Sequence, residues 1–239
     1  MFTLSGLLSM AGLGAAFLFV PLFYYMGVSL PEATSTALLL NVVSLSFATV
    51  NYWRGHLINF RIGLPVMLTA VVLAPIGARL TAVIDKNLLL TLFAAFLVFA
   101  GAMMLFYRPR KRTAERGRAT ELTVGVGIGG TAGFLGGLLG VGGGNFIVPV
   151  LNWFGLDAKV AAATTAFAVV FASLSGFLAH ATVGSLDPTF VIVAAVAAAA
   201  GSIVGSQLVR TKLSSRTIKM TTGVLLWAIA VKMIFDLVK

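Results

Sequence analysis

The chain has 239 residues, 59% hydrophobic and only 10% charged, with a mean hydropathy of +1.03. A soluble domain carries about 25% charged residues, so this composition describes a polytopic membrane protein with little length left for soluble domains. The absence of cysteine excludes disulfides, thiol chemistry and thiolate metal sites. The formal net charge of +10 lies in short loops, where it sets orientation and does not indicate nucleic-acid binding.

Eight apolar segments follow in order. The first, 2–26, holds Gly6, Gly12, Gly14 and Pro21. It lacks a positively charged start and reads as a membrane segment, not a cleaved signal peptide. The second, 31–53, is apolar but carries Thr34, Ser35, Thr36, Asn41, Ser44, Ser46, Thr49 and Asn51. The third is 62–84, with Pro65, Pro75 and Gly77, and the fourth is 87–107. The only clearly polar stretch, RPRKRTAERGRATE (Arg108 to Glu121), then reads as a solvated loop. The fifth segment is 122–154. The sixth, 158–181, bears Thr164, Thr165, Ser173, Ser175 and His180. The seventh and eighth are 188–209 and 214–238. The expected organisation is a first membrane repeat at 1–107, a basic cytoplasmic loop at 108–121 and a second membrane repeat at 122–239.

The fifth segment holds the most unusual stretch, GFLGGLLGVGGGNFIVP (Gly133 to Pro149). Glycine inside a helix costs roughly 1 kcal/mol relative to alanine, so Gly142, Gly143 and Gly144 should interrupt the helix. Irregular backbone at membrane depth is tolerated only where it is buried in protein or lines a cavity. The alternative role for these glycines is close helix packing.

The stretch is one copy of an internal repeat. At an offset of 128 residues the halves align without a gap. Gly12 and Gly14 fall on Gly140 and Gly142, Pro21 on Pro149, Thr36 on Thr164, and Gly77 on Gly205. Two topologies follow. If all eight segments cross, the halves are parallel. If segments one and five are re-entrant, each half has three crossings and the halves are inverted. The inverted arrangement gathers Arg54, Arg61, the six basic loop residues, Lys159, Arg210, Lys212, Arg216 and Lys219 on the inside. It leaves only Arg79, Lys86, Lys232 and Lys239 outside. The positive-inside rule favours it. Length agrees: Ala132 to Gly140 makes roughly 13 Å of helix, half of a roughly 30 Å apolar core. The expected fold class is therefore an all-α membrane protein of inverted repeats, each opening with a glycine-rich re-entrant or broken helix. Eight plain crossings are the alternative.

All seven acidic residues fall at segment ends or in loops. That argues against an acidic proton relay or a cation pump, and no nucleophilic arrangement points to an enzyme. The mid-membrane polarity is neutral: Thr36 and Asn41 in the first half, Asn145, Thr164 and Thr165 in the second. Hydroxyls and amides can satisfy local backbone, or they can line a path for a small polar solute. A broken helix presents unbonded N–H groups and its positive dipole end, which suits an anion. In inverted-repeat transporters such broken helices from both halves form the site.

The runs GLLGVGGGNFIVPVL (Gly137 to Leu151) and LDAKVAAATTAF (Leu156 to Phe167) resemble the TauE/SafE sulfite exporter family of membrane permeases. The resemblance spans the whole duplicated chain. Its first-half copy departs from the motif, with Ala15, Ala16 and Phe17 standing where Gly143, Gly144 and Asn145 stand. The resemblance implies a multi-pass permease of a bacterial or archaeal inner membrane that moves sulfur-containing anions.

The expected function is a secondary transporter of small anions, with an anion channel or a membrane assembly factor as alternatives. Gly142, Gly143, Gly144 and Asn145 would supply backbone and amide donors. Thr164 and Thr165 would face them, and Gly12, Gly14, Thr36 and Asn41 would close the site from the other half. The expected partners are the bilayer and a small anionic solute, with no cofactor, metal or nucleic acid. The sequence carries no signal for oligomeric state, and a homodimer stays open.

Overall fold

The computed structural model describes residues 1–80, 86–106, 117–180 and 188–238. Most of the basic loop, with Asp85 and Asp187, lies outside the described residues. Within them the chain is built of helices: α1 (Phe2–Met10), α2 (Ala16–Tyr25), α3 (Leu30–Arg54), α4 (Phe60–Leu80), α5 (Lys86–Phe106), α6 (Arg118–Leu139), α7 (Gly144–Trp153), α8 (Ala158–His180), α9 (Pro188–Thr211) and α10 (Ser215–Val238). Five of the described helices are long and apolar enough to cross a membrane.

The first and fifth apolar segments are each broken into two helices. Gly12 and Gly14 have φ of +69° and +79°, and Gly140, Gly142 and Gly143 have +67°, +75° and +78°. Only glycine takes this conformation without steric cost. The first arm of the second half is not the short one expected from length. α6 has 22 residues, which at 1.5 Å per residue is about 33 Å, enough to cross. Its glycines do not break it because Gly125, Gly129, Gly133 and Gly137 recur every four residues on one face. A Cβ on Gly129, Gly133 or Gly137 would overlap the backbone of Val66, Ala70 or Ala74 on α4. Backbone contact over several turns offsets the low helix propensity of these residues.

The helix starts repeat at the sequence offset: Ala16 and Gly144 open α2 and α7, Leu30 and Ala158 open α3 and α8, and Phe60 and Pro188 open α4 and α9. Equivalent contacts recur as well. A Cβ on Gly77 would overlap the Phe134 carbonyl oxygen, and one on Gly205 would overlap that of Gly6. α1 thus lies on α9 as α6 lies on α4. α3 and α8 pack against each other between these pairs.

The two supports differ in chemistry. Where α1, α3 and α9 meet, the Ser5 and Ser44 hydroxyls share a hydrogen bond of 2.8 Å, and Ser5 Oγ donates to the Ala198 carbonyl at 2.7 Å. Ser202 Oγ donates to the Ser44 carbonyl at 2.5 Å, and Tyr52 Oη to the Ser9 carbonyl at 2.7 Å. At the same offset, Gly133, Gly137 and Ala172 replace Ser5, Ser9 and Ser44. With Gly136, Gly142 and Gly176 they line a small apolar space.

Basic residues collect at one end. Asn59 N donates to Thr164 Oγ1 at 3.0 Å, which ties the start of α4 to the start of α8. Gly55 lies against the Arg210 side chain, and Ser215 Oγ donates to Asp157 Oδ1 at 2.6 Å. The end of α3, the start of α8, the end of α9 and the start of α10 therefore share a face. It carries Arg54, Arg61, Lys159, Arg210, Lys212 and Arg216.

Candidate functional site

The two glycine breaks touch. A Cβ on Gly144 would overlap the Leu13 carbonyl oxygen, so the start of α7 rests on the first break. Asn41, near the middle of α3, lies against both breaks and is fully buried. Its Oδ1 accepts from Ala16 N, at the start of α2, at 3.4 Å. Its Nδ2 donates to Ser173 Oγ on α8 at 2.9 Å. A Cβ on Gly14 would overlap the Asn41 amide, and one on Gly142 would crowd both Ser173 Oγ and Asn41 Nδ2.

α7 begins directly after Gly143 and has no side-chain cap. The N–H groups of Phe146 and Ile147 return to the Gly143 carbonyl at 3.1 and 3.4 Å. The positive end of the helix dipole therefore points into the break. Asn145 lies in this first turn and is 1% exposed, yet neither its Oδ1 nor its Nδ2 has a hydrogen-bond partner. Thr165, on the adjacent α8, is 0% exposed, and its Oγ1 is likewise unpartnered. An unsatisfied buried polar group costs about 1–3 kcal/mol, and such groups are rare enough to call for an explanation. Among the described residues, Glu32, Glu121, Asp157 and Asp236 all lie at or near helix ends. The break is a buried place with amide donors and a positive dipole, and none of the acids among the described residues lies beside it.

The sequence profile of the family described as sulfite exporter TauE/SafE matches residues 1–233. The chain belongs to this family. It is 24% identical to the probable membrane transporter protein YunE of Bacillus subtilis, over 95% of this chain and 92% of that protein. It is 28% identical to the probable membrane transporter protein YdhB of the same organism, over 87% and 86% of the two chains. It is also 25% identical to sulfite exporter TauE/SafE family protein 1 of Arabidopsis thaliana, over 71% of this chain and 37% of that one. No solved structure gives a significant match. Family and helices together make this a multi-pass membrane transporter of the TauE/SafE type.

In this TauE/SafE protein, the fold brings Gly14, Asn41 and Gly142 into one group and sets Gly144 against the first break. Asn145 follows directly on the second break and Thr165 lies one turn of α8 before Val169, which meets Gly142; both are buried without partners. Thr164 is used differently: its hydroxyl takes the Asn59 N–H and its methyl touches where Gly63 would carry a Cβ. Gly12 packs on Ala162 as Gly140 packs on the Thr34 methyl. Thr36 is half-buried on α3. The residue that sequence reasoning missed is Ser173. The signal for it was the spacing of Thr165, Val169 and Ser173, which repeats every four residues and places them on one face of α8.

Proposed function

We propose that this protein is a secondary transporter of small sulfur-containing anions, such as sulfite or sulfonates, bound at the second glycine break. The observation that carries this reading is the buried, unpartnered Asn145 amide in the first turn of α7. A tetrahedral oxyanion offers several acceptors to the Asn145 side chain, to the backbone N–H groups that open α7, and to the Thr165 hydroxyl. Each hydrogen bond to a charged group is worth about 1.5–3 kcal/mol. Alternating access would come from inverted repeats, in which α1–α2 and α6–α7 enter from opposite sides. The helix starts at a common offset support this topology, as do the contacts of Gly77 and Gly205.

The test is a thermal-shift series on purified protein with sulfite, sulfate, thiosulfate, taurine, sulfoacetate and simple carboxylates. A ligand at 100 times its Kd adds roughly 2.7 kcal/mol of stability. Shifts confined to sulfur anions and lost in Asn145→Leu are expected. Equal shifts with carboxylates would end the sulfur assignment, and no shift with any anion would end the anion site. Flux in liposomes that ignores every imposed ion gradient would favour a channel.

A further inference from the structure

Resting on that reading of the second break, we propose that Asn41 and Ser173 form a one-way hydrogen-bond relay coupling anion occupancy there to the first break. The relay has four parts in line. Ala16 N–H donates to Asn41 Oδ1 at 3.4 Å, and Asn41 Nδ2 donates to Ser173 Oγ at 2.9 Å. Ser173 keeps its own hydroxyl proton, and its Oγ lies where a Gly142 side chain would begin. The Ala16 N–H fixes which end of the Asn41 amide is oxygen, because only an acceptor can face it. Every bond therefore runs in the same direction, from the start of α2 towards the break that opens α7.

An anion at Gly142 to Asn145 would accept a hydrogen bond from the Ser173 hydroxyl. Hydrogen bonds in such a chain polarise one another, so a new acceptor at one end strengthens the links behind it. The longest link, at Ala16, has the most to gain. Occupancy of the second break then tightens the first turn of α2. The device is single. Val169 and Leu45 stand at the repeat positions of Asn41 and Ser173, and neither can replace the relay. Both relay side chains are 0% exposed, which shields these bonds from bulk solvent. Asn41 is in this sense a positioning residue, which acts through Ser173 to join two half-sites the backbone merely brings into contact.

The experiment is hydrogen–deuterium exchange on the full chain in detergent, with and without saturating sulfite, in wild type and Ser173→Ala. In wild type, sulfite should slow exchange about tenfold in segment 140–147 and also in segment 11–19, which carries the Ala16 amide. Ser173→Ala loses one donor to the anion, so its sulfite is raised tenfold; protection at 140–147 should then be restored while the change at 11–19 stays absent. Retained protection at 11–19 in that variant would overturn the relay. Loss at both segments in folded Ser173→Ala, even at that raised sulfite, would make Ser173 indispensable to anion binding and not a separable link, and would also overturn the relay. Absence of protection at both segments in wild type would instead sink the anion-site reading on which the relay rests. If Ser173→Ala does not fold, Ser173→Cys gives the same comparison, because a thiol fills the volume but hydrogen-bonds weakly.

Discussion

At the residue scale, Asn145 and Gly143 make opposite predictions although they are two positions apart. The Asn145 amide is buried without a hydrogen-bond partner. Asn145→Leu removes an unsatisfied group worth about 1–3 kcal/mol and keeps similar bulk. Its Tm in detergent should be unchanged or raised while sulfite binding falls at least tenfold. A lowered Tm with normal binding would make Asn145 structural. Gly143 has φ of +78°, and a Cβ there would run into the Ala132 carbonyl. Gly143→Ala should therefore destabilise the protein by more than about 2 kcal/mol, read as a fall in Tm and in monodisperse yield. A transport assay on that variant would report folding, not the site.

At the element scale, the contrast is between a helix face that touches backbone and one that does not. Gly137 has the Ala74 carbonyl where its Cβ would stand, whereas nothing lies within 4 Å of a Cβ on Gly127. Gly137→Leu should separate α6 from α4 and abolish folded yield. Gly127→Leu should be neutral or stabilising by up to about 1 kcal/mol, since it gains helix propensity on an open face. The folded yield of both variants, and the Tm of Gly127→Leu against wild type, check this directly. The serine seam under α1 makes a smaller prediction. Ser44→Ala deletes the 2.8 Å bond to Ser5, for a loss of about 1 kcal/mol. The equivalent seam under α6 has no such bond to lose, because Gly133 and Ala172 occupy those positions.

At the scale of the whole molecule, the prediction concerns topology. The absence of native cysteine makes single-cysteine labelling clean. With inverted repeats, Lys159→Cys and Arg216→Cys should react with a membrane-impermeant maleimide only after permeabilisation, while Arg79→Cys should react in intact cells. Labelling of Lys159→Cys from outside would establish eight plain crossings instead. The structure groups Lys159 and Arg216 with Arg54 and Arg61 at one end, through the Asn59 to Thr164 and Ser215 to Asp157 bonds. That grouping is the one the positive-inside rule requires of the inverted arrangement.

The sequence by itself determined the membrane class, the place of both glycine breaks and the 128-residue offset. Each of these is a local property: hydropathy over a window, glycine where φ must be positive, and like residues at a fixed spacing. Only the tertiary structure decided that α6 runs its full 22 residues, because the cost of its glycines is offset by the α4 backbone, which no window of sequence contains. Only it assigned Thr164 to the α4 turn and joined Asn41 to Ser173, residues 132 apart in the chain. A side chain's partner is set by how two helices cross, and that crossing is fixed by contacts spread over both halves of the molecule.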